Sequence, residues 1–183
     1  MVQKITQRAD FAPQFIRGLL TILMLFSVNV AFCQPTSRKL PAPSQDQIKN
    51  DAPEKGLAYL EGNFKKEGNR LNLKESIDCV DATKNKNCVC AWGQRFEEGI
   101  QYRYNECSGP VVEVTITFTA YDAKEIVSLV DILFKTDNNA WNHEKTEYKL
   151  KPDYEPKDGD LTCDYEIKQE NGKVVLICIC GWW

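Results

Sequence analysis

From about residue 70 onward, apolar and polar positions exchange over short intervals, and the dominant period is two. In "VVEVTITFTA", Val112, Val114, Ile116 and Phe118 alternate with Glu113, Thr115, Thr117 and Thr119. That is the signature of a strand with one buried and one wet face. The preceding "GIQYRY" places Ile100, Tyr102 and Tyr104 on one face in the same way. Further strand-like runs fall at 70–77, 87–94, 145–151, 161–168 and 173–180, and 125–134 reads as a strand apolar on both faces. Eight strands separated by turn residues predict an all-β fold, an up-and-down antiparallel barrel that removes its edges by closing. A sandwich is the alternative. Only 53–64 carries a helical signal, with Asp51 as cap and Pro53 in the first turn.

Asn171-Gly172 is a strong hairpin signal, because both central residues of a type I′ turn need positive φ. With the turn there, Glu170 faces Lys173 and Cys163 faces Cys180. Directly opposed cross-strand cysteines are within reach of a disulfide.

The N-terminal pattern is different. Lys4, Arg8 and Arg17 precede an apolar run at 18–32, and Ala31 and Cys33 form a small-x-small site. This predicts a signal peptide over 1–33 and a mature chain from Gln34. A lipid-modified Cys33 and an uncleaved anchor are the less favoured alternatives. Residues 34–52, rich in Pro, Ser and Gln, read as a disordered leader, leaving 53–183 as the folded domain. Without residues 1–33 the chain holds 20 Lys+Arg against 25 Asp+Glu, a net of −5. No basic stripe remains to neutralise phosphates, which excludes nucleic acid as a partner. The remaining cysteines are Cys79, Cys88, Cys90, Cys107, Cys163, Cys178 and Cys180, an odd number. In a secreted chain they read as disulfides, with at least one left over. The Cys-x-Cys pairs at 88/90 and 178/180 are a zinc alternative that an oxidising compartment disfavours. His143 is the only histidine, and there is no nucleophile motif or phosphate loop; an enzyme is not expected, nor a metal or cofactor.

The stretch Cys163-Asp164-Tyr165, a 15-residue spacer and Gly181-Trp182-Trp183 resembles the tick salivary lipocalins of the histamine-binding family. Their strands carry Cys-Asp-(Val/Ile/Leu) and later Glu-(Leu/Phe)-Trp. The Cys-rich run 87–122 is similar to the family's Cys-containing strand, acidic turn and Tyr-rich strand, so the resemblance covers about 53–183. It implies a lipocalin-like barrel, secreted and monomeric, that sequesters a small host mediator, either a biogenic amine or a lipid such as a leukotriene or fatty acid. It also implies a C-terminal Cys-containing helical segment beyond the Trp motif, so the chain reads as truncated or as an abbreviated member. In the family the Asp and Glu of the two motifs are associated with amine binding. Here Asp164 is kept and Gly181 replaces the Glu, so a doubly charged amine such as histamine loses one counter-charge.

The residues themselves leave Asp164 open between cavity and solvent, because it shares a face with Thr162, Glu166 and Lys168. Asp131, in "SLVDILF", is an inward ligand group or a rim residue. Trp92, Tyr102, Tyr104, Phe118 and Trp183 either wall a pocket, offering cation–π surfaces, or are ordinary core. The second functional class is a disulfide-rich module that binds a host protein, with no small ligand and the fold only a scaffold.

Overall fold

The computed structural model describes residues 38–75, 89–107, 110–154 and 162–181. A single turn of helix, α1 (Gln45–Ile48), leads into α2 (Ala52–Asn63) and four strands: β1 (Lys66–Glu75), β2 (Val89–Phe96), β3 (Ile100–Asn105) and β4 (Val111–Thr119). Helix α3 (Ala123–Leu133) then precedes β5 (Trp141–Glu144), β6 (Glu147–Leu150), β7 (Thr162–Glu170) and β8 (Lys173–Gly181). The sequence thus runs twice through a helix followed by a four-strand meander. All eight strands join one antiparallel sheet in the order β1-β2-β3-β4-β8-β7-β6-β5. The two meanders meet along β4 and β8, from Val111↔Gly181 to Thr119↔Lys173.

The expected antiparallel sheet is present, but it is not closed among the described residues: β1 and β5 are its edges. The buried face of the sheet is covered by helices. Val114, Ile116 and Phe118 of β4, Val174, Leu176, Cys178 and Cys180 of β8, and Cys163, Tyr165 and Ile167 of β7 point into one core. Tyr59 and Leu60 of α2 and Ile126, Leu129, Val130 and Leu133 of α3 fill the same core from the other side. Gly56 lets α2 approach closely, since a Cβ there would stand 2.9 Å from Ile116 Cδ1.

One expected strand is a helix. Residues 125–134 lie mostly within α3, where Asp122 caps the first turn by accepting from the Lys124 amide. Their apolar positions serve a single helical face rather than two faces of a strand. The eighth strand is instead β5, which the alternation did not reveal. The segment expected to be a disordered leader has structure in its described part. Ser44 caps α1 in a reciprocal capping box with Gln47, the Tyr59 hydroxyl donates to the Pro41 carbonyl (2.9 Å), and the Leu40 amide donates to Glu125 (3.2 Å). Residues 1–33, expected to be a signal peptide, lie outside the described residues.

The predicted hairpin register holds. Glu170 pairs with Lys173, Cys163 with Cys180, and Asn171 and Gly172 take φ of 50° and 73°. Cys163 and Cys180 form a disulfide with Cα atoms 4.1 Å apart. A second disulfide, Cys90–Cys107, ties the β2–β3 hairpin over the same separation of 17, and its turn also holds two positive-φ residues, Glu98 and Gly99. Two disulfides suit an oxidising compartment. No helix among the described residues is long and apolar enough to cross a membrane.

Candidate functional site

The inner face of the sheet has one aromatic end. In the β2–β3 register Trp92 faces Tyr104 and Gln94 faces Tyr102, so alternation delivers all three rings to the helix side. The Trp92 ring lies 5.1 Å from Tyr102 and 5.6 Å from Tyr104, nearly parallel to the latter. Helix α2 runs alongside, its positions 53, 54, 57, 58 and 61 share one face, and Asn50 just before it borders the same space. Between this face and the aromatic strands lies an open groove of about 520 Å³. Pockets that hold small molecules fall in this size range.

The groove is amphipathic. Trp92, Tyr102, Tyr104 and Leu57 supply apolar surface, while Glu54, Glu61, Glu106 and Arg70 stand around it. The Tyr104 hydroxyl donates to Glu106 Oε2 at 2.7 Å, and Glu61 pairs with Lys66 at 2.6 Å. The phenols of Tyr102 and Tyr104 are held well above the ordinary tyrosine range, first by burial. Negative neighbours add to this, Glu54 acting on both and Glu106 on Tyr104. Both therefore stay neutral and keep their hydroxyls as donors at any physiological pH. The Arg70 guanidinium lies over the Trp92 ring, 3.6 Å from its centroid.

Of the residues singled out from sequence, the groove brings together Trp92, Tyr102 and Tyr104. Phe118 is elsewhere: it is buried in the core against Tyr121, with ring centroids 5.8 Å apart. Asp164 is exposed on the outer face of β7, the solvent side of the two readings, and accepts from the Tyr165 amide. It borders a smaller outer groove of about 260 Å³ with Lys149, Glu166 and Ile179. Gly181 faces Thr162, as the register requires.

Asp131 belongs to α3, not to a strand. Its Oδ1 accepts from Trp141 Nε1 at 2.8 Å and from the Thr136 hydroxyl, tying the end of α3 to the start of β5. It is thus a structural brace rather than a cavity or rim group. Trp183, Cys79 and Cys88 lie outside the described residues.

Cys178 is free and buried beside the disulfide, its sulfur 3.4 Å from that of Cys180. Burial pushes its thiol up to about 12, which leaves it protonated and inert. With Cys163 and Cys180 it makes a three-sulfur cluster, but two of the sulfurs are consumed by the disulfide and offer no thiolate to a metal.

Sequence reasoning missed the helical wall of the groove. Glu54, Leu57 and Glu61 sit in the one helix the sequence did suggest, at helical spacing, but nothing in the sequence shows which strands that face meets. Arg70 was likewise invisible as a site residue, because its contact depends on the β1–β2 pairing. Comparison of the chain with protein-family models, curated proteins and solved structures finds no match.

Proposed function

We propose that the protein is a secreted binding protein that sequesters a small aromatic amine in the groove between α2 and the aromatic end of β2 and β3. The observation that carries this reading is the stacking of a cation, the Arg70 guanidinium, on Trp92 within a groove bordered by three carboxylates. A positively charged group over an indole face is attracted by the ring quadrupole. Glu54, Glu61 and Glu106 outnumber Arg70 around the groove, so the local field favours a cation over the carboxylate of a fatty acid or leukotriene. The same composition disfavours a lipid tail, which needs a more enclosed and more apolar site.

Sequestration of a host mediator by a secreted carrier is also what the resemblance to tick salivary lipocalins implies. The reading differs in where the ligand sits. In place of a barrel interior, a side occupied here by α2 and α3, binding belongs to the lateral groove, and Asp164 has no part in it.

Calorimetric titration of the folded protein with tryptamine and with palmitate tests the proposal. Tryptamine is expected to bind one to one, and Trp92→Ala to weaken it about tenfold or more from lost cation–π and stacking contact. Palmitate binding with no response to tryptamine would reject the reading.

A further inference from the structure

We infer that Arg70 is a built-in competitor for the groove: its guanidinium holds the cation position over Trp92 when no ligand is present, and an incoming amine must displace it. The inference rests on the groove reading above and concerns how that site is regulated.

The first observation is what Arg70 touches. Its guanidinium stacks on Trp92 at 3.6 Å, and its charge pulls against the upward displacement of the neighbouring Tyr102 phenol. It therefore stands where a ligand ammonium gains most from the aromatic surface. The second is what it does not hold. Among the described residues, two of the three groove carboxylates are engaged elsewhere, Glu61 by Lys66 and Glu106 by the Tyr104 hydroxyl, and none lies within ion-pair distance of Arg70. The stacking contact is thus its principal anchor.

The third observation is the backbone beneath it. β1 is an edge strand, and its ladder with β2 jumps from Glu67↔Arg95 to Leu71↔Gly93. Gly68, Asn69 and Arg70 thus oppose Gln94 alone, a bulge that opens at Gly68 with φ of 71°. Arg70 can swing away without breaking a regular ladder hydrogen bond. A long, exposed side chain on an edge bulge is suited to exchange with a ligand, in a way that a core residue is not.

An exposed stacking contact of this type corresponds to about two- to fivefold in an equilibrium constant. Removing it also removes a positive charge that repels the ligand. Arg70→Ala is therefore expected to tighten tryptamine about threefold to tenfold. Arg70→Lys, which keeps the charge and loses the planar stack, should lie between the two. Indole-3-acetate, with the same ring and the opposite charge, controls for sign and should gain nothing from Arg70→Ala.

Calorimetry on the full chain and the two variants, each checked for folding by circular dichroism, reads these affinities. Tighter tryptamine binding by Arg70→Ala, or binding detected only in that variant, supports the competitor role. Unchanged or weaker binding in Arg70→Ala while the parent protein binds tryptamine overturns it and leaves the groove reading standing. So does indole-3-acetate binding that Arg70→Ala abolishes, since Arg70 would then be a ligand counter-ion. Absence of tryptamine binding in all three proteins removes both the inference and the groove reading.

Discussion

Asp131 shows how far one residue's environment can depart from its sequence context. Among apolar neighbours it looked like a ligand group or a rim residue. In the fold it accepts from Trp141 Nε1 and from the Thr136 hydroxyl, two donors that reach it only because α3 ends and turns into β5. Asp131→Ala would leave the indole N–H and the hydroxyl of buried Thr136 without an acceptor. The expected cost is about 1–3 kcal/mol, read as a lowered midpoint in urea. Unchanged stability would show that the brace contributes nothing. Asp164 went the other way. Its alternation with Cys163 and Tyr165 placed it in solvent, and that local pattern was right. What local pattern could not supply was the neighbourhood of Trp92, which took three elements to assemble: Arg70 from β1, Tyr104 from β3 and Glu54 from α2.

At the scale of elements, the strands with one wet and one buried face were legible, whereas the apolar run of α3 and the short, mostly exposed β5 were not. β4 announces itself because Thr and Glu alternate with Val, Ile and Phe, and the β7–β8 register followed from Asn171-Gly172 alone. Helix α3 was misread because Ile126, Val127, Leu129, Val130 and Leu133 fit a doubly buried strand as well as a helical stripe. Its N-terminal signal, Asp122 with Glu125 three residues on, resembles a capping box and favoured the helix. The outer face of β6 and β7 carries a charge cluster with a consequence for acid stability. Glu166 receives Lys149 at 2.8 Å and Lys168 at 2.9 Å. Partial burial pulls its carboxyl upward, but these two ammonium groups outweigh that and hold it below the ordinary glutamate value. A carboxyl that ionises more readily folded than unfolded stabilises the fold above about pH 4.3, and the gain disappears as pH falls through the folded value. Glu166→Gln is therefore expected to cost about 1 kcal/mol or less near pH 7, given the solvent around the pair. The parent and variant melting curves should converge as pH falls below the ordinary glutamate range. A gap that persists or widens in acid would contradict the assigned direction.

At the largest scale, the described residues form two helix-plus-four-strand halves, and the β4–β8 ladder is the hydrogen-bonded seam between them. Both helices pack on the same face, so the core is shared: Gly56 of α2 sits over Ile116 of β4, while Phe134 at the end of α3 meets Tyr165 of β7 at 4.6 Å. A seam of this kind makes the halves unfold together, because neither buries its inner face without the other. Thr115 lies at its middle, pairing with Arg103 on one side and Ile177 on the other. Its amide therefore belongs to a ladder whichever neighbour it addresses, and its side chain is on the outer face, away from the core. Thr115→Pro removes that donor and leaves the core side chains untouched, whereas Thr115→Ala removes the side chain alone. The proline variant is expected to lose of order 3 kcal/mol, with signals from both halves lost in one transition, and the alanine variant well under 1 kcal/mol. Hydrogen exchange of the parent protein should find its slowest amides in β4 and β8 and much faster ones in the edge strands β1 and β5. If β1–β4 stayed protected in the proline variant while β5–β8 exchanged freely, each half would be its own folding unit, and the seam would be a contact between finished parts rather than the centre of one fold.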